Sequence, residues 1–350
     1  MANLLPTEFL LHEQEVVGCY QELLNTSPRP ELNLRGHQLP SRPDDESYVE
    51  VVIVSFNPGH YLVTCVSAVL QSTFPARVVV VDNASRDGSI EALQATHGGD
   101  TRLEIVLNPS NVGFARASNP ALAVGNSQYL LVLNPDCFIA PDTLERLRQV
   151  MEADPSIGLA GCMVCNPDGS EQAGTRRTIP TPWRTLVRVL RLDRLFPDNP
   201  RFRTFELSDQ PLPREPIYLE GVSGACMFVR REALRQVGLL DEGYFLHCED
   251  LDWFMRFRAA GWRVAFVPTV KVIHIKGGCS SLQPLRVLWH KHQGMLRFYR
   301  KFFRHRYPLP LMWAVIAAVW VRFGVLALVS LGEQASQRFE RHALSDTGTK

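Results

Sequence analysis

Between Val49 and Leu133, short apolar runs alternate with stretches of helical period, and this alternation constrains the fold more than anything else in the chain. Val49–Ser55, Val78–Val81, Leu103–Leu107 and Tyr129–Leu133 are largely apolar and rich in β-branched residues, so each predicts a strand. Leu62–Leu70, Ile90–Ala95 and Ala115–Val124 lie between them and predict helices. Strands and helices of this length in alternation imply an α/β architecture. Its sheet would be Rossmann-like and mostly parallel, with helices on both faces. In such sheets, ligands bind outside the carboxyl ends of the strands.

Three of those ends carry small polar or acidic side chains. They are Ser55-Phe56-Asn57, Asp82-Asn83-Ala84-Ser85 and Asn134-Pro135-Asp136. Turns use Asn, Asp and Ser for their own hydrogen bonds, so any one exit could be turn chemistry alone. Three together point to one polar crevice. A carboxylate at a core strand exit, such as Asp136, must be solvated, capping something, or holding a cation. No G-x-G-x-x-G follows the first strand and no Walker A lysine motif occurs, which disfavours a dinucleotide dehydrogenase and a P-loop NTPase.

With 350 residues and 45% hydrophobic content, the chain can bury one large core or two ordinary ones. The formal charge of +1 hides an asymmetry: no Asp or Glu occurs between Asp252 and Glu333, while Lys and Arg recur there. A basic segment of this kind suits an anionic partner, whether nucleic acid, phosphorylated ligand or membrane surface. The eight cysteines are scattered, mostly in apolar runs, as reduced core thiols of a cytosolic protein would be. Cys162 and Cys165 form one C-x-x-C, read as strand thiols because no second pair or histidine cluster accompanies them. The first residues include Glu8, Glu13 and Glu15 and no basic stretch, so no signal peptide is expected. Three regions follow: an extension and linker at 1–47 with a short helix expected over 9–24, a central domain at 48–282, and a basic, apolar helical segment at 283–350.

"VVIVSFN", "VVVVDNASRDGS", "NPSNVGFARASN", "LLVLNPDC", "VSGACMFVRREAL" and "FLHCEDLDWFMRFRAAGW" occur in this order. Together they resemble family 2 glycosyltransferases, inverting enzymes of GT-A fold that use nucleotide-sugar donors, and most of all the rhamnosyltransferase-like branch that builds cell-surface polysaccharide. The resemblance covers about residues 49 to 282. It implies a UDP- or dTDP-sugar donor, with Asp82 accepting from the base and Ser55, Phe56 and Asn57 beside it. Asn111, Gly113, Phe114 and Arg116 would line the donor pocket, with Arg116 free to meet a phosphate. Asn134-Pro135-Asp136 stands for the family's D-x-D motif, with Asn134 where many members have Asp; Asp136 would ligate Mg²⁺ or Mn²⁺. His274 would stand near that cation or the diphosphate. Asp250 would be the general base, with Glu249 orienting the acceptor or the base; Asp252 and Arg256 suggest either donor contacts or buried pairing. Ser223, Gly224 and Trp253 would form the acceptor side. Acidic residues also favour the first turn of a helix, which is the plainer account of Glu249, Asp250 and Asp252.

Arg286 to Arg306 is basic with interleaved aromatics, and Pro308 to Gly332 is apolar with one charge, Arg322. Length permits a span, but a central arginine is costly, and a basic aromatic segment before an apolar helix suits one lying in the interface. A helix packed on the domain is the plainer alternative. The expected location is therefore cytoplasmic, at the inner face of the cell membrane. The acceptor would be a saccharide or polyprenyl-linked glycan; no nucleic-acid partner is expected, and a homo-oligomer is compatible. The competing class is a non-catalytic subunit that binds nucleotide sugar or glycan. A nucleotidyltransferase is weaker, because "SFNPGHYL" is not a Gly- and Arg-rich loop.

Overall fold

The computed structural model describes residues 48–197, 199–275, 277 and 284–347. The helix expected over 9–24, with Cys19 and Cys279, lies outside them. Eleven strands are present among the described residues: β1 (Val49–Ser55), β2 (Ala76–Asp82), β3 (Leu103–Leu107), β4 (Tyr129–Leu133), β5 (Cys137–Ile139), β6 (Ile157–Cys165), β7 (Arg176–Arg177), β8 (Ile217–Leu219), β9 (Gly221–Val222), β10 (Cys226–Arg230) and β11 (Arg263–His274). The predicted β3 and β4 agree residue for residue with those observed.

Contacts divide the chain into two compact units. The first runs through Ile179 and includes Phe205–Glu242 and Asp250–Cys279. The second takes Pro180–Thr204, Gly243–Glu249 and the chain from Ser280 onward. Two short segments of the expected 48–282 domain therefore group with the C-terminal segment.

In the first unit, a nine-stranded sheet runs β3-β2-β1-β4-β10-β6-β11-β5, with β8 on the outer side of β11. The β3-β2-β1-β4 half is parallel, as the alternation predicts. The other half is mixed: β10 runs antiparallel to both β4 and β6, while β6 and β11 are parallel. An apolar run reads the same in either direction, so the reversal at β10 is not visible in its sequence.

β1, β4 and β6 are buried along their whole length, and β2 along all but Arg77. Each buried Val or Leu side chain contributes about 1.5–3 kcal/mol, so this apolar run is what holds the strand exits in place. The helix Tyr61–Leu70 covers one face with Leu62, Cys65, Val66 and Val69, spaced to lie on one side of it. Phe114–Ala123 covers the other through Ala117, against Val54, Val79 and Val81. Cys162 and Cys165 are buried free thiols on β6.

The second unit is helical. Pro284–Phe303 carries a cluster of Phe298, Tyr299 and Phe303, and the Tyr299 hydroxyl donates to Thr185 Oγ1 at 2.6 Å. Gly294 is needed here, because a Cβ on it would stand 2.7 Å from the His247 carbonyl oxygen. His247 and Cys248 are both left-handed, at φ 68° and 72°. The last helix, Leu309–Thr347, is apolar and long enough to cross a membrane over Leu309–Gly332, and Trp313, Val321 and Leu328 on it are exposed.

Candidate active site

The first wall of the site is the paired exit of β1 and β2, where Ser55 stands in register with Asp82. The chain then turns through Ala84, which is left-handed at φ 62°. A non-glycine residue in that region is strained and persists only where its surroundings hold it. Here Ser85 does the holding: its amide donates to Asp82 Oδ2 at 2.9 Å and its hydroxyl to Asp82 Oδ1 at 2.5 Å. The same hydroxyl accepts from the Asn57 amide at 2.8 Å, and Asn57 Oδ1 accepts from the Arg86 amide at 2.7 Å. Asp82 is thus a turn residue, as the plainer reading of the exits has it. It is also a buried carboxylate whose remaining lone pairs stay available to a donor. Asn83 ties this wall to the next segment, donating to the Gly113 carbonyl at 3.4 Å and accepting from Asn108 at 2.9 Å.

Gly113 sits at φ 91° directly before the helix Phe114–Ala123, and its amide donates to Asn111 Oδ1 at 3.0 Å. Phe56 is half-buried, and Phe114 packs against Val54 and Val79. Arg116 is exposed, and its guanidinium faces Glu242 at 3.3 Å. An exposed pair of this kind contributes about 0–1 kcal/mol, so Glu242 holds Arg116 only loosely.

The second wall is the exit of β4. Asn134 is fixed by its amide, which donates to the Ala225 carbonyl at 2.9 Å. Asp136 follows and is buried. β5 then pairs with the end of β11, placing Cys137 opposite His274. His274 Nε2 comes to 3.2 Å from Asp136 Oδ1, yet that carboxylate oxygen has no hydrogen-bond partner. Asn134 Nδ2 lies 3.4 Å from the same ring nitrogen. Burial and then the Asp136 charge push the neighbouring Cys65 thiol up, so it stays neutral and donates to the Asn134 carbonyl at 3.5 Å. A buried oxygen left without a donor, facing an imidazole nitrogen, fits a divalent cation: carboxylate oxygen and imidazole both suit Mn²⁺, with water and phosphate completing the shell.

The third wall is the start of the helix Glu249–Ala259 together with the loop before β10. Gly224 packs directly on Asp250, and a Cβ there would meet Asp250 Oδ2 at 2.8 Å. Asp250 Oδ2 pairs with the Arg177 guanidinium, which also donates to the Val222 carbonyl at 2.9 Å. The other oxygen accepts from the Leu251 amide at 2.8 Å. Glu249 is buried. Asp252 is wholly buried and accepts from the half-buried Arg256 at 2.6 Å, which is the pairing expected as one of the two readings of these residues.

Trp253 must be corrected. It was expected on the acceptor side, but it is wholly buried, edge-on to Phe257, with its indole N–H donated to the Gly238 carbonyl at 3.0 Å. Its helix presents Asp250, not Trp253, to the loop carrying Ser223 and Gly224. Two further residues at the site come from the stretch after β6: Gln172 in the loop, against His274 at 2.7 Å, and Arg177 at the end of β7, against Asp250. That segment has neither period nor motif. The one available signal was an Arg-Arg pair in an otherwise polar loop.

The fold agrees with comparisons to known proteins. An N-acetylglucosaminyl-diphospho-decaprenol L-rhamnosyltransferase of Mycobacterium tuberculosis is 27% identical over 298 residues, covering 80% of this chain and 93% of that one. The rhamnosyltransferase WbbL of Escherichia coli is 26% identical over 173 residues, covering 46% of this chain and 60% of that one. Among solved structures, the mannosyltransferase PcManGT of Pyrobaculum calidifontis, in complex with GDP-Man and Mn²⁺, superposes with a TM-score of 0.52 at 18% identity. The match covers 93% of this chain and 89% of that one, and it supports the GT-A fold. The sequence model of glycosyl transferase family 2 matches residues 50–238, more than half of the chain. This chain therefore belongs to glycosyl transferase family 2.

Proposed function

We propose that this glycosyltransferase moves a sugar, with rhamnose the first candidate, from a UDP- or dTDP-sugar to a saccharide carried on a polyprenyl diphosphate. The observation that carries the reading is the meeting of Asp136 and His274 at 3.2 Å across the end of the sheet, beside a base-binding wall at Asp82. The names of the relatives support rhamnose and a lipid-linked acceptor.

Asp82 takes the imide N–H of the pyrimidine on its remaining lone pairs, while the backbone around Ser55 and Phe56 flanks the ring. Gly113 lets the diphosphate approach the start of the helix Phe114–Ala123. Asp136 and His274 are the residues that would hold the divalent cation. When bound, that cation neutralises the charge that develops on the departing nucleoside diphosphate. Asp250 accepts the proton of the acceptor hydroxyl as its oxygen bonds to the anomeric carbon and the bond to the diphosphate breaks, which inverts that carbon. Arg177 keeps the Asp250 carboxylate aimed, and Gly224 lets the acceptor loop lie close to it. Trp313 and its exposed apolar neighbours, with the basic helix Pro284–Phe303, support attachment to the inner face of the membrane, where a lipid-linked acceptor resides.

Calorimetric titration with UDP- and dTDP-sugars, with and without Mn²⁺, tests this reading. Tight binding only with Mn²⁺, lost in Asp136→Ala, is the expected result. Donor affinity that ignores both Mn²⁺ and the substitution overturns it.

A further inference from the structure

The proton on His274 is fixed by a neighbour that no sequence motif marks. Gln172 is 5% exposed, and its amide nitrogen donates to the His274 carbonyl oxygen at 3.1 Å and to Asn166 Oδ1 at 3.0 Å. A carbonyl oxygen can only accept, so the amide has one possible orientation. Its oxygen is therefore the atom 2.7 Å from His274 Nδ1, and an oxygen there requires an N–H. A neutral imidazole has one N–H, which leaves Nε2 with its lone pair. Asp136 Oδ1 lies 3.2 Å from that nitrogen, and no hydrogen bond joins the two. Asn134 Nδ2, at 3.4 Å from Nε2, is a donor and matches a lone pair there.

We propose that Gln172 is a positioning residue: it holds His274 as the Nδ1–H tautomer and so leaves the Nε2 lone pair for a cation beside Asp136. The proposal rests on the cation reading above for its purpose, but not for its geometry. An imidazole lone pair and a carboxylate oxygen 3.2 Å apart in a buried site repel unless a cation binds both. The same geometry opposes the opposite tautomer, whose Nδ1 lone pair would face the Gln172 oxygen. Gln172 also anchors the loop after β6, its amide donating to the Val164 carbonyl at 2.9 Å. A purely structural tie is therefore the alternative to exclude.

Ring-nitrogen NMR of the metal-free full chain reads the tautomer directly, with His274→Gln identifying the signal. Mn²⁺ affinity in the presence of UDP, followed by electron paramagnetic resonance, reads the consequence. Wild type should show Nδ1–H. Gln172→Met, which keeps the length but loses the acceptor, should mix the tautomers and weaken Mn²⁺ by about 10–100-fold at an unchanged melting temperature, while Gln172→Glu, which keeps an acceptor at Nδ1, should stay within about threefold of wild type. An Nε2–H ring in wild type overturns the proposal. So does unchanged Mn²⁺ affinity with an unchanged tautomer in Gln172→Met, or an equal loss in both variants. If wild type shows the Nδ1–H ring but binds no Mn²⁺ with UDP, the cation reading fails and the tautomer assignment stands.

Discussion

Two residues decide whether the third wall can do chemistry. Asp250→Asn keeps shape and hydrogen bonding but removes proton acceptance. Turnover should fall by about 10²–10⁴ while donor affinity holds, measured as kcat against the calorimetric Kd. A matching loss of donor affinity would move Asp250 into the diphosphate site instead. Gly224→Ala sets a Cβ 2.8 Å from the Asp250 carboxylate. The carboxylate must shift, and a displacement of even an ångström at the reacting centre costs about 10²-fold in rate. Measured turnover near that of wild type would mean that Asp250 moves without consequence. At this scale the sequence was most informative at the strand ends: Asp82 closes β2 and Asp136 follows β4, as the exits read, whereas His274 at the end of β11 came only with the family resemblance. It was least informative where a long loop folds back. Gln172 and Arg177 arrive from a segment whose only signal is polarity, and polar loops are the rule. Trp253 shows the converse limit: an amphipathic period does not say which residue of the helix faces the core.

Among the elements, β1 carries an acidic residue into the sheet. Glu50 is buried, with Arg231 at 3.6 Å, and Arg231 in turn donates to the Ser127 carbonyl at 2.6 Å. Burial pushes the Glu50 carboxyl up to about 7 from 4.5, with the Arg231 charge opposing the rise. Desolvation outweighs attraction here, as it commonly does for buried pairs. Because the folded protein keeps the proton where the unfolded chain has released it, this contribution to stability is complete below about 4.5 and is lost as pH rises through about 7. Relative to Glu50→Gln, the wild-type melting temperature should therefore decline over that window. A constant difference between the two proteins would show that Glu50 does not titrate there. Arg231→Leu removes the charge that opposes the rise, so the Glu50 carboxyl should go higher still and the decline of stability with pH should move to higher pH in chemical denaturation, where an unmoved decline would contradict the buried pairing. None of this was legible: Glu50 in a β-branched run looks like a solvent-facing strand position. The parallel half of the sheet was legible because helices must cross between parallel strands, whereas antiparallel β10 leaves no such trace.

For the whole molecule, attachment to the membrane is best tested without cutting the chain. The helix Pro284–Phe303 supplies Tyr299 to Thr185, so a truncation would damage more than an anchor. Arg300→Gln and Arg304→Gln remove two exposed charges instead. Each should weaken binding to anionic vesicles by about 1 kcal/mol, roughly fivefold, and high salt should weaken wild type in the same way. Full-length protein that stays in the supernatant with such vesicles at low salt would favour a packed helix. The cation slot has a different kind of consequence at this scale. Asn134 and His274 meet across 140 residues of sequence through a strand only three residues long, β5. Closing so long a loop is slow to reward, so this corner should form late in folding and open before the centre of the sheet. Amides of β5 and the last turn of β11 should exchange with solvent faster than those of β1 and β4, and nucleoside diphosphate with Mn²⁺ should slow that exchange. The bound donor would then act as the missing clasp of the sheet, coupling substrate supply to how long each newly made copy of the enzyme survives.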